Sequence, residues 1–286
     1  MPRSYLFVPG DSEKKLARGL AGDADALIID LEDAVAPSNK DAGRQTTAQF
    51  LAGQPDARAR LWVRVNAFAT GLTRVDLEAV LPHRPAGIVL PKCDGIDDVE
   101  RLHQLLTTLE REHGLTEGAL RIQGIVTETA SSVLNLPSLR VGHPRLSGMM
   151  WGGEDLAADL GAAGNREASG AFAEPFRLAR SLCLLAAKAA GVEAIDTVFT
   201  DIRDLAKLEA ETAAARALGF DAKAAIHPDQ VTVINRVYTP AAAELDWARK
   251  VIAAFAAQPD AGVVRLDDKM LDQPHLKHAR RLVGLI

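Results

Sequence analysis

Eight short runs of branched and aliphatic residues punctuate this 286-residue chain: SYLFV (4–8), ALIIDL (26–31), LWVRV (61–65), GIVL (87–90), RIQGIV (121–126), LSGMMW (146–151), IDTVF (195–199) and AAIH (224–227). Between them lie segments with helical periodicity, such as DDVERLHQLLTTLEREHG (97–114), FRLARSLCLLAAKAAG (176–191) and DLAKLEAETAAARALG (204–219). These end at a glycine, the residue that tolerates a left-handed C-cap. Strand and helix in alternation imply a parallel sheet, and eight units in a chain of this length point to a closed (β/α)8 TIM barrel, an α/β fold. The alternative is an open doubly wound sheet, which usually carries a glycine-rich phosphate loop after its first strand; VPGDSEKK has one glycine. The barrel is expected over residues 1–240. Residues 241–286 then form a C-terminal helical extension, led by AAAELDWARKVIAAFAAQ (241–258), that packs on its own barrel or on a neighbouring subunit.

Composition narrows the function classes. A net charge of −5 offers no polycationic surface for a nucleic-acid backbone. No apolar run approaches the roughly 20 residues needed to cross a bilayer, and MPRSYLFVPGD reaches a Pro-Gly turn too soon for a signal sequence, so a cytoplasmic enzyme without membrane association is expected. Cys93 and Cys183 stand far apart without metal-ligand spacing and read as packing residues.

In a barrel of this kind chemistry gathers at the C-terminal ends of the strands. The residues expected there are Asp30, Glu32 and Asp33 after the second strand, Arg64 and Asn66 after the third and Lys92 after the fourth, followed by Glu128, then Glu154 and Asp155, and finally His227. Glu128 and Asp155 follow neighbouring strands and could offer two carboxylates to one cation. Hard oxygen ligands without a Cys or His pair suit Mg2+, which keeps several waters. Gly152 and Gly153 let the backbone pass close to that ion and its ligand. Either carboxylate could instead sit in the first turn of a following helix, where acidic residues are favoured.

Arg64 can pair with a substrate carboxylate or a developing enolate, or form a structural ion pair with Glu32 or Asp33. Lys92 could in principle form a Schiff base, but acidic neighbours favour a protonated amine in a salt bridge to Glu32 or Asp33. His227 is open between acid–base work and orienting its loop. Lys14, Lys15 and Arg18 could meet a phosphate-bearing ligand or simply be a solvated helix face.

The motifs RSYLFVPGD, ALIIDLEDAV, WVRVN, GIVLPK, ETA, GGEDLAADLG, AIDTVF, IHPDQ and KMLDQP follow one another as they do in the citrate lyase beta subunit and its malyl-CoA and citramalyl-CoA lyase relatives. The chain resembles that HpcH/HpaI aldolase superfamily over nearly its whole length. The resemblance implies a Mg2+-dependent TIM barrel, an oxo-acid-lyase that makes or breaks a carbon–carbon bond between an acyl thioester enolate and a 2-oxo acid such as oxaloacetate, glyoxylate or pyruvate. It implies Glu128 and Asp155 as metal ligands and Arg64 as the substrate guanidinium; Glu32, among the charged strand-end residues, is a further candidate catalytic group. It also implies a catalytic Asp272, given across a subunit interface in a homotrimer or hexamer. The sequence alone would make Asp272 a helix N-cap ahead of HLKHARRLV. Relatives carry glycine where this chain has Ala222 and Asp268.

Three reactions fit: a free-standing acyl-CoA lyase, a citrate lyase beta subunit working with alpha and carrier-protein subunits on a carrier-bound thioester, and a CoA-free metal-dependent aldolase. A barrel reused for binding is disfavoured by the completeness of the charged constellation.

Overall fold

The structure, a computed structural model, describes residues 1–284. Its first compact unit, Met1–Tyr238, is a closed barrel of eight parallel strands in sequence order. Along the chain run β1 (Ser4–Pro9), α1 (Glu13–Leu20), β2 (Ala26–Asp30), α2 (Lys40–Ala52), β3 (Leu61–Arg64), α3 (Thr73–Val80), β4 (Gly87–Leu90), α4 (Ile96–Glu112) and β5 (Arg121–Ile125). They continue as α5 (Ala130–Asn135), β6 (Leu146–Met150), α6 (Glu154–Asp159), α7 (Glu174–Ala190), β7 (Glu193–Asp196), α8 (Leu205–Leu218), β8 (Ala222–Ala225) and α9 (Pro228–Tyr238). The ring closes where β1 pairs with β8 through Ser4 and Lys223. Helices α7 and α8 end at Gly191 (φ 72°) and Gly219 (φ 107°), both left-handed caps. The expected barrel is the observed one.

Strands alternate faces, so each splits its residues between the barrel lumen and the shell under the helices. Tyr5, Ile28, Trp62, Val89, Ile125 and Ile195 belong to the inner cluster, while Leu27, Val63, Ile88 and Met149 pack in the larger outer one. Near the N-terminal end the lumen becomes polar. Tyr5 donates to Glu193 Oε2 (2.6 Å) and accepts from Gln123 Nε2 (2.9 Å). Burial, more than any neighbour, pushes the Glu193 carboxyl up to about 7.

The seventh and eighth strands begin two residues earlier than their apolar runs suggest. The displaced starts contain Glu193 and Lys223, charged residues that are buried because each finds a partner. Lys223 Nζ lies 2.7 Å from Asp196 Oδ2, which also belongs to a buried group with Arg180 and Trp151. The segment after β8 carries weak helical signs because β-branched residues dominate VTVINRV, yet it forms α9 by burying Val231, Ile234 and Tyr238.

The second compact unit, Thr239–Ile286, contains α10 (Ala242–Ala256), β9 (Val263–Leu266), β10 (Lys269–Asp272) and α11 (Gln273–Leu282). It is not helical throughout: β9 and β10 form an antiparallel hairpin, with Leu266 opposite Lys269. The two turn residues, Asp267 and Asp268, have φ of 45° and 60°, the left-handed pair required by a tight hairpin. Val251, Phe255, Val264, Leu271 and Leu276 make a separate small core. Among the described residues no helix is long and apolar enough to cross a membrane.

Candidate functional site

The ends of β2 and β3 are in register, with Asp30 beside Arg64. The Asp30 carboxylate receives the Arg64 guanidinium in a fork, Nε to Oδ1 and Nη2 to Oδ2, both 2.7 Å. Backbone amides of Glu32 and Ala34 also donate to Asp30, fixing the chain that turns out of β2. Arg64 Nη1 lies 3.0 Å from Glu32 Oε2 and 3.7 Å from the exposed Asp33. The ion pair expected with Glu32 is present, and Asp30 adds the bidentate anchor that the expectation left out. That residue stands on the adjacent strand at the same level, whereas Glu32 and Asp33 lie beyond the strand end. The ring of Phe7 lies 5.0 Å from the guanidinium carbon. Burial works against the charge on Arg64, but Asp30 and Glu32 outweigh it and hold the guanidinium ionised.

Lys92 follows β4 and adopts a left-handed backbone, φ 49°, which is costly for a non-glycine residue and marks a conformation enforced by its surroundings. Its amide donates to Glu128 Oε2 while its Nζ reaches Glu32 Oε1 at 2.7 Å and Asp155 Oδ1 at 3.1 Å. Burial opposes its charge, but Glu32, Glu128 and Asp155 together raise its pKa. The amine is thus a fixed ammonium, the opposite of what a Schiff-base nucleophile requires. The expected salt bridge to Glu32 is present, with Asp155 as second partner.

Glu128 follows β5 and is 2% exposed. Burial first, then the charges of Asp155 and Glu32, push its carboxyl up to about 8. Gly152 explains how the turn after β6 closes over it: a Cβ at that position would sit 2.7 Å from Glu128 Cγ. Gly153 precedes α6, and Asp155 is the second residue of that helix, so the helix-start position and the rim position are the same. Glu154 turns aside to accept from Asn165 Nδ2 at 2.8 Å.

Among the described residues no three His, Cys, Asp or Glu side chains form a ready metal cage. The donor chemistry nevertheless fits a small hard cation. Among the described residues Asp30, Glu32, Glu128 and Asp155 pair with two cationic side chains, Arg64 and Lys92, and after burial the charges of Asp155 and Glu32 help to raise the Glu128 carboxyl. Two carboxylates with water completing the shell is the usual manner of holding Mg2+.

Of the other candidates, Lys14 and Lys15 lie exposed in the first turn of α1, on the rim side, and Arg18 lies a turn further along. His227 accepts from the amide of Asp229 at 3.2 Å, the geometry of a loop-orienting histidine. Cys93 and Cys183 are fully buried and their thiols are pushed up by burial, Cys93 to about 12. Asn66 is occupied by Leu31 O and Asp76. Asp272 belongs to the second unit, at the N-cap of α11, with Oδ1 2.5 Å from His275 Nδ1. That contact holds its carboxyl below the usual range. Sequence reasoning missed the anchoring role of Asp30; the signal was its place as the last residue of an apolar strand, level with Arg64.

Residues 3–228 match the model of a family described as HpcH/HpaI aldolase/citrate lyase. A (3S)-malyl-CoA thioesterase of Cereibacter sphaeroides is 37% identical over 290 residues, covering 99% of this chain and 93% of that protein. A citrate lyase subunit beta-like protein of Mycobacterium tuberculosis is 36% identical over 279 residues, covering 98% and 93%. Among solved structures, CitE from Mycobacterium tuberculosis in complex with magnesium, acetoacetate and coenzyme A superimposes with a TM-score of 0.81 at 34% identity, covering 99% of this chain and 97% of that one. With the barrel, the acidic rim and near full-length similarity in agreement, the chain belongs to the HpcH/HpaI aldolase/citrate lyase family.

Proposed function

We propose that this protein is a Mg2+-dependent carbon–carbon lyase that cleaves or forms a 3-hydroxyacyl-CoA thioester of the malyl, citramalyl or citryl type, giving an acyl-CoA and a 2-oxo acid such as oxaloacetate. The observation that carries this reading is the rim cluster, in which Arg64 and Lys92 are locked in place by acidic side chains that still exceed them in charge. Glu128 and Asp155 would hold the metal, which when bound supplies Lewis-acid polarisation of the substrate's oxygens. Relatives support the class: one carries a malyl-CoA name, and a structural neighbour holds magnesium, coenzyme A and acetoacetate.

In this reading the hydroxyl of the substrate loses its proton to Asp272 as the carbon–carbon bond breaks, and the bonding pair passes to the thioester fragment as an enolate. Arg64, immobilised by Asp30, presents its charge to the developing anion without rearranging, a contribution worth about 3–4 kcal/mol for a preorganised donor. Glu32 positions both cations by holding Arg64 on one oxygen and Lys92 on the other. Gly152 lets the turn pack against Glu128, and Gly152 and Gly153 line the substrate's approach with backbone alone. Lys14, Lys15 and Arg18 meet the phosphates of CoA. Asp272 comes from a neighbouring copy in a trimer or hexamer, and the enzyme works in the cytoplasm.

A panel of hydroxyacyl-CoA thioesters with Mg2+, scored separately for 2-oxo acid and for free thiol, tests this and separates cleavage from thioester hydrolysis. Release of the oxo acid should fall about 100-fold or more in Asp155→Asn and in Glu128→Gln. Full turnover in EDTA, or in both variants, would overturn the assignment. Activity only on a carrier-bound thioester, with alpha and carrier-protein subunits co-purifying, would identify a citrate lyase beta subunit instead.

A further inference from the structure

The strands run parallel, so their N-terminal ends gather on the face opposite the rim just described. On that face lies a cleft of about 390 Å3, bounded by the segments entering β3, β4 and β5 and lined by Arg58, Arg84, Arg121, Pro85 and Leu115 among others. No acidic residue lines it. None of its three arginines joins an ion pair among the described residues, in a chain where most arginines do. Arg58 Nε is buried without a hydrogen-bond partner. Arg121 meets the Trp62 ring, 4.9 Å from its guanidinium carbon, and makes a long 3.4 Å contact to Ala86 O, while Glu193 acts on it through charge without a direct ion pair. Arg84 sits at φ 54°, a left-handed backbone that brings its side chain to this wall at a local conformational cost.

We propose that this cleft is a binding site for a compact polyanion, a small molecule bearing phosphate or several carboxylates, separate from the lyase site. Planar guanidiniums make paired hydrogen bonds to phosphate and carboxylate, and three converging without a direct ion pair supply charge that such a ligand would neutralise. Pro85 and Leu115 offer a short apolar wall to its carbon skeleton. The volume lies in the small-molecule range of about 300–1,000 Å3. The same positive field extends beyond the lining: after burial, the charge of Arg58 lowers the pKa of neighbouring His83. Without metal the acidic cluster of the rim repels anions, and the titrations are run on a Lys14→Gln, Lys15→Gln, Arg18→Gln background so that the CoA-phosphate contacts proposed on that side do not compete.

Calorimetric titration of the full chain in EDTA with pyrophosphate, and in parallel with tricarballylate, tests the site and distinguishes phosphate from carboxylate ligands. We expect one equivalent to bind, weakening about tenfold or more in Arg84→Gly and in Arg121→Gln, and weakening likewise as salt is raised. Arg84→Gly suits the left-handed backbone, so the fold is retained, and circular dichroism checks this; Arg84→Lys should restore part of the affinity. Asp155→Asn, at the rim, should leave binding unchanged. Failure of both probes to bind, binding that survives both arginine variants, or loss of binding in Asp155→Asn would each overturn the proposal.

Discussion

Glu193 sits in the barrel lumen with one oxygen on Tyr5 and the other, Oε1, without a hydrogen-bond partner. Its carboxyl is pushed from an ordinary 4.5 up to about 7, so between those values the folded chain holds a proton that the unfolded chain has released. Stability from this group is therefore complete below about pH 4.5 and falls as pH rises through 7, by on the order of 3 kcal/mol. Urea unfolding of wild type and Glu193→Gln at pH 5 and pH 8 checks it: the variant should gain that amount relative to wild type on going to pH 8, and parallel pH profiles would contradict it. Glu193 also shows what single residues conceal in a sequence. A charged residue at a strand start reads as solvent-facing, and the Tyr5 hydroxyl, 188 positions away in the chain, helps to make its burial tolerable. Asp30 was hidden differently: it was visible as a strand-end acid, but its bidentate grip on Arg64 depends on register between strands, which periodicity alone does not fix.

The turn from β6 into α6 carries the most consequence per residue among the elements. Its two glycines and the acid pair after them were legible as a rim feature, because charge follows directly on an apolar run. The structure adds the steric reason, since any side chain at Gly152 would collide with Glu128. Gly152→Ala should displace the Glu128 carboxylate, cutting Mg2+ affinity by about tenfold or more while costing the fold only about 1–3 kcal/mol of overpacking. Calorimetric Mg2+ titration alongside thermal unfolding separates the two effects, and an unchanged affinity would refute the cradle. Lys92 was equally visible in the sequence, but not its left-handed backbone, which lets one residue serve Glu128 with its amide and Glu32 with its amine.

At the scale of the whole molecule, the eight-fold alternation made the barrel readable from end to end, because each strand buries both faces and each helix one. The second unit was less readable: its hairpin is four residues per strand and closes on Asp267 and Asp268, without the glycine that usually announces such a turn. If Asp272 serves the rim of a neighbouring copy, mixing two inactive variants, Asp272→Asn and Asp155→Asn, and letting subunits exchange should restore part of the lyase rate, since mixed assemblies contain sites with both acids intact. No recovery after exchange, checked by mass of the mixed oligomer, would place Asp272 outside the catalytic set.

The ammonium of Lys92, lodged between Glu32 and Asp155, gives the mouth of the barrel a tethered counter-ion of its own. A protein that relied on a dissolved cation to quiet its crowded acids would come apart when starved of it. Here that duty is covalently attached, so exhaustive chelation should idle the molecule and leave its melting temperature within about 5 °C of the loaded form. A collapse of the melting temperature on chelation would mean that Lys92 is no such safeguard.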